Sequence, residues 1–175
     1  MPKSYDSVTK ILHWLIFLLV AVQYAVGEFM PHIGRDTKEV GLVWVHIFLG
    51  GIVLALILVA LAWRVTHPVP QLPELPPWQR VSATLTHWTL YLLILVMTVL
   101  GWAAANSRGW PVTVFGAPIP ALAKNGERWA HTAGDVHTFL VNVLLALVIL
   151  HAGAALYHHF VVKDKVLKRI LPGGG

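Results

Sequence analysis

The 175-residue chain contains no cysteine, and that absence removes iron–sulfur clusters, thiolate metal sites, disulfides and C-x-x-C-H covalent haem attachment together. Charge is scarce as well: 12% of residues are Asp, Glu, Lys or Arg, against roughly 25% in a soluble domain. Neither a convincing internal repeat nor a low-complexity tract is present, apart from the terminal glycines. What fills the chain is apolar, 57% of it, gathered into uncharged runs at 11–27, 40–63, 81–107 and 136–162. About 20 apolar residues span a bilayer, so four transmembrane helices account for most of the chain.

The expected architecture is all-α, a transmembrane four-helix bundle forming one membrane domain over 1–175, with helices at about 9–29, 40–65, 82–105 and 135–162. Too few residues remain outside the spans for a soluble domain of ordinary size, so any chemistry belongs in the bundle or at its edges. The first run follows Lys3 and Lys10 and ends in Ala25-Val26-Gly27, which invites reading as a signal peptide. It is long for such a segment, however, and it begins with His13, which a disposable segment has no reason to carry.

Basic residues set the orientation. With the N-terminus cytoplasmic, Lys3, Lys10, Arg64, Arg80, Lys163, Lys165, Lys168 and Arg169 lie inside, against Arg35, Lys38, Arg108, Lys124 and Arg128 outside. Both termini are therefore expected in the cytoplasm. The formal charge of +5 is largely this bias and does not indicate nucleic-acid binding. Trp14, Trp44, Trp63 and Trp102 fall near helix ends, where indole favours the membrane interface.

The connections differ in character. The first, 28–39, carries the turn residues Pro31, Gly34 and Asp36, and the second, 66–77, is proline-dense and predicts an extended strap. The third, 106–135, is the longest, holding Arg108, Lys124 and Arg128 with Trp110, Phe115 and Trp129. A connection of that length either caps the bundle or serves function. The basic tail after Val162 is expected to continue the fourth helix until Pro172 stops it.

Ten histidines are the outstanding feature. His32, His67 and His131 fall in loops, but His13, His46, His87, His137, His151, His158 and His159 lie in or at the ends of spans, where an ionisable group is costly without a function. His137 and His151 are fourteen residues apart, which on a helix is about 21 Å of rise and within roughly 40° of one face. One helix thus offers two ligands at two depths. Matching depths on other helices pair His46 with His137 and His13 with His151, each pair placing two imidazoles on opposite sides of a planar cofactor, as in a six-coordinate b-type haem. Zinc fits less well, because the spans hold no cysteine or carboxylate to complete a tetrahedron. Depth alone leaves His87 as a rival to His13 for the inner site. Small residues beside the ligands, Gly50 and Gly51 after His46 and Ala152 to Ala155 after His151, suit either haem or close helix packing.

Ile11-Leu12-His13-Trp14, His46 with Gly50, Leu85-Thr86-His87, and the run from His137 through His151 to His158-His159-Phe160 with Lys163-Asp164 resemble the bacterial di-haem cytochrome b561 family, which includes superoxide oxidase. The resemblance covers nearly the whole chain. It implies two b haems and electron exchange with ubiquinone, and the similar cytochrome b subunits of formate dehydrogenase and nickel–iron hydrogenase imply His13 as the partner of His151. The implied activity is oxidation of periplasmic superoxide to dioxygen, with electrons passed to ubiquinone. His158, about 10 Å beyond His151 on nearly the same face, is then placed to hydrogen-bond and protonate the quinone, together with His87. A haem-bearing anchor subunit that relays electrons from a separate dehydrogenase is the rival reading. A transporter or sensor using histidines for protons is a third.

Overall fold

The computed structural model describes residues 4–67 and 75–173. Among the described residues its regular structure is helical, save for two strands of two residues each. The helices are α1 (Ser7–Phe29), α2 (Leu42–Thr66), α3 (Pro77–Ser107) and α4 (Arg128–Tyr157), and all four are long and apolar enough to cross a membrane. At about 1.5 Å per residue even α1 exceeds the roughly 30 Å of hydrocarbon it must span. Exposed apolar side chains such as Phe17, Leu18, Leu92, Phe139, Ile149 and Leu150 ring the bundle and suit a lipid solvent.

Local chemistry explains the helix ends. Asp6 caps α1, its carboxylate accepting from the Thr9 N–H at 2.9 Å and the Thr9 hydroxyl at 2.6 Å. It also accepts from the Trp63 indole at 3.2 Å, tying the start of α1 to the end of α2. Chain extension at His67 ends α2, as expected before Pro68. Of the predicted proline strap at 66–77, residues 68–74 lie outside the described residues, while Thr66 ends α2 and Pro77 begins α3. Pro77 takes the first position of α3, where its missing N–H costs nothing, so the helix begins before the apolar run does. Helix α4 likewise starts at Arg128, because its polar first turns carry no apolar signature but still close their backbone hydrogen bonds.

Chain neighbours pack closely: α1 on α2, α2 on α3, α3 on α4. Small residues make the last of these contacts, with Ala103, Ala130 and Ala133 buried beside Ala123 of the loop. Ile16, Ile57 and Ala60 form a second buried cluster between α1 and α2, with Tyr91 and Ile94 of α3 against it. Helix α4 is not closely packed on α1 or α2.

The long connection shrinks to 108–127 and closes one end of the bundle, hereafter the loop end. Strands β1 (Thr113–Val114) and β2 (Ala117–Pro118) pair across Phe115 and Gly116, both with positive φ, the backbone of a tight hairpin. Asn106, buried at the end of α3, donates to the Trp110 carbonyl at 3.1 Å and accepts from the Leu122 N–H at 2.8 Å. The Arg108 guanidinium donates to the Gly34 carbonyl at 2.9 Å, joining the loop to the first connection. A side chain at Gly51 would collide with the Thr113 carbonyl, so the hairpin lies directly on α2.

The other end, the tail end, departs from expectation. Helix α4 does not run on to Pro172. It passes at His158–Val162 into a π turn, and Lys163 at φ 59° reverses the chain. The segment after it returns to α1, where the Arg169 carbonyl accepts from the Ser4 hydroxyl at 2.9 Å and the Ile170 carbonyl accepts from the Trp14 indole at 3.0 Å.

Candidate functional site

Two histidine sites lie at two levels along α4. At the loop end His46 of α2 faces His137 of α4, ring centroids 6.1 Å apart and planes at 84°. At the tail end His13 of α1 faces His151 of α4, 6.2 Å apart and at 56°. A metal–nitrogen bond of about 2.0 Å on each side, plus a ring radius of about 1.1 Å, puts two imidazoles trans to one ion about 6.2 Å apart. Both pairs meet that spacing, and each joins helices that are not packed closely on one another.

His87 also reaches the tail-end site, 5.1 Å from His151. That is about 1 Å shorter than a trans pair requires. Its Nδ1 donates to the Ala83 carbonyl one turn back at 2.6 Å, which leaves Nε2 with the lone pair. The three rings do not make a tetrahedral cage: among the described residues no group of three His, Asp or Glu side chains converges to hold an ion.

Each loop-end ring is seated on a neighbouring helix. The His137 Nδ1–H donates to the Met97 carbonyl of α3 at 2.8 Å, and a Cβ at Gly101 would stand 3.2 Å from the ring. His46 lies over Gly27 of α1, where a Cβ would be 3.5 Å away. One turn earlier on α1, Gln23 donates to the His46 carbonyl at 2.8 Å, with Gly50 leaving room for its carboxamide. The Gln23 Oε1, the His46 Nδ1 and the Trp102 Nε1 are buried without partners. Facing imidazoles, small residues beside them and spare polar atoms around them fit a flat apolar group with a polar rim, such as haem.

His158 has an acidic neighbour. The chain reversal at Lys163 folds Asp164 back on it, carboxylate Oδ2 to Nδ1 at 2.5 Å. The second carboxylate oxygen accepts from the Val166 N–H at 2.9 Å, which fixes the group. Because a carboxylate only accepts, Nδ1 carries the proton, and Nε2 is left to take up a second one and, once protonated, to donate to a carbonyl. His159 packs edge-on to Phe160, 4.7 Å between centroids. Of the histidines expected in loops, His32 is exposed, His131 is exposed but lies in the first turn of α4 because that helix starts earlier than its apolar run, and His67 stacks on Trp63 at 3.5 Å.

The residues that sequence reasoning missed are supporting ones: Gln23, Gly27, Met97, Gly101 and the partnering role of Asp164. Glycines inside apolar spans were the one available signal, since glycine there is costly without a packing reason.

Residues 4–173 match the family described as prokaryotic cytochrome b561. The chain is 31% identical to cytochrome b561 homolog 2 of Escherichia coli K12, over 97% of this chain and 92% of the relative. It is 30% identical to the probable superoxide oxidase CybB of Yersinia pestis, over 98% of each. It is 31% identical to cytochrome b562 of Cereibacter sphaeroides, over 96% and 95%.

Proposed function

The chain belongs to the prokaryotic cytochrome b561 family, membrane-bound electron-transfer cytochromes that bind b-type haem, and from that premise we propose that it oxidises superoxide and reduces ubiquinone. The observation that carries this reading is the pair of sites on α4, with centroid separations of 6.1 and 6.2 Å. His46 with His137, and His13 with His151, would hold the two haems. Haem held between each pair supplies a one-electron relay from one level to the other. His87 is not a ligand in this reading, because its ring is too close to His151.

With both termini cytoplasmic, the loop end faces the periplasm. Arg35, Lys38, Lys124 and Arg128 are exposed there and attract an anion, raising the rate at which superoxide arrives. Arg108 is already engaged with the Gly34 carbonyl and lies 5.4 Å over the Trp110 ring. Two superoxide ions each give up one electron and leave as dioxygen, and ubiquinone takes both electrons with two protons to become the quinol. At the tail end His158, held by Asp164, hydrogen-bonds the quinone and passes protons to it, with His87 on the side of His151.

The test is a spectrum of the purified protein with haem quantified per chain, followed by reduction with superoxide and with quinol. Two low-spin haems reduced by both are expected. One haem per chain overturns the two-site reading. Two haems that superoxide fails to reduce, with a dehydrogenase co-purifying, would replace the donor by a partner subunit.

A further inference from the structure

Helix α3 contributes no ligand to the loop-end site, yet two of its residues touch the His137 ring. The Met97 carbonyl receives the Nδ1–H at 2.8 Å. Four residues on, hence on the same face, a Cβ at Gly101 would lie 3.2 Å from both Nδ1 and Cε1 of that ring. This is tighter than ordinary van der Waals contact, so the ring occupies the space that a side chain would take. His46 has no counterpart: its Nδ1 is buried without a partner, and a Cβ on Gly27 would stand at a comfortable 3.5 Å from Cε1 and 3.7 Å from Nδ1. The two rings of one site are therefore held unequally.

We propose that the Met97 carbonyl and the bare Gly101 backbone form a seat that sets the orientation and donor strength of His137, making Gly101 a positioning residue of the loop-end site. This rests on the reading that His46 and His137 hold haem there. A hydrogen bond from the remote N–H of a ligating imidazole fixes its tautomer and raises its basicity. A stronger donor favours the oxidised metal, so the seat lowers the reduction potential of the loop-end site. Helix α3 thereby tunes a cofactor that it does not bind.

The experiment compares Gly101→Ala with Gly134→Ala in the haem-loaded protein. Gly134 belongs to the same α3–α4 contact, where an added Cβ would meet the Ala104 Cβ at 3.3 Å, but it touches no ring. Potentiometric titration and the low-spin ferric EPR signals are read for each site. In Gly101→Ala the loop-end potential is expected to rise and its EPR signal to shift, with the tail-end site unchanged, while Gly134→Ala leaves both sites as they are. Equal shifts in the two variants, or none in Gly101→Ala, overturn the proposal. If Gly101→Ala loses the loop-end haem, the reduced wild-type protein labelled with 15N-histidine decides: a slowly exchanging Nδ1–H on His137 supports the seat, and a freely exchanging one overturns it. Failure of the parent reading looks different, because wild-type protein would then lack a haem that His46→Ala or His137→Ala removes.

Discussion

His13 and His151 face one another at 6.2 Å, while His87 approaches the same His151 to 5.1 Å. On the proposed reading, the difference of about 1 Å separates a pair with room for a metal ion from a ring that abuts the pair. Single substitutions should therefore divide the histidines. His46→Ala and His137→Ala should each leave one haem per chain, His13→Ala and His151→Ala should each leave the other, and His87→Ala should keep both. Haem counted per polypeptide checks this. The haem kept by each variant should also be identifiable by EPR, because the loop-end imidazoles stand at 84° and the tail-end ones at 56°, and near-perpendicular ring planes would give the more anisotropic ferric signal.

Asp164 should matter to the quinone and leave the haems alone. Replacing it by Asn removes the acceptor that holds the His158 Nδ1–H and should slow quinone-dependent reoxidation of the reduced protein by about 10²-fold. The absorption spectrum and haem content should stay at wild-type values, and Asp164→Glu should restore part of the rate. Unchanged reoxidation in Asp164→Asn would remove this residue from proton transfer.

Electrostatic attraction at the loop end is testable by salt. Superoxide reduction of Lys124→Gln/Arg128→Gln should be slower than wild type by about tenfold at low ionic strength, and the gap should close as salt screens the field. Stopped-flow rates measured over a range of ionic strengths give the answer. A gap that persists at high salt would mean that these side chains act by contact.

The tail-end clasp at Asp6 predicts a pH dependence of stability. Partial desolvation acts to raise the carboxyl pKa, but hydrogen bonds from Thr9 and Trp63 together outweigh it and hold the group below its ordinary value. A carboxylate lowered on folding stabilises the fold above its unfolded pKa, about 3.9, and loses that contribution as pH falls through the lower folded value. Asp6→Ala should therefore melt below wild type at pH 7, with the difference shrinking below about pH 4. Thermal melts in detergent across that range would show it.

The four spans were legible because apolar runs of sufficient length have few alternatives, and the histidines because an imidazole in such a run is conspicuous. His46 and His137 could be matched from depth. His13 and His87 could not, since both lie near the same level and only ring spacing separates them. Asp164 was readable as part of a motif but its contact with His158 was not, for the reversal runs through a left-handed Lys163 and a π turn that no Gly or Pro announces. The start of α4 at Arg128 was hidden for the opposite reason: its first turns are polar and carry no apolar period. Gln23 and Gly101 read as ordinary span residues until their neighbours on other helices were known.

Both proposed sites take one histidine from α4, and the fourteen-residue step from His137 to His151 lies within an unbroken α-helix. The helix acts as a ruler of about 21 Å, set by covalent geometry and backbone hydrogen bonds. Sliding of α1 or α2 in the bilayer can loosen one site, yet it cannot stretch the interval between the two. If the two sites hold haem as proposed, the interval between them is insulated from changes in lipid thickness, and thinner or thicker bilayers should alter haem retention before they alter the rate of transfer between the levels.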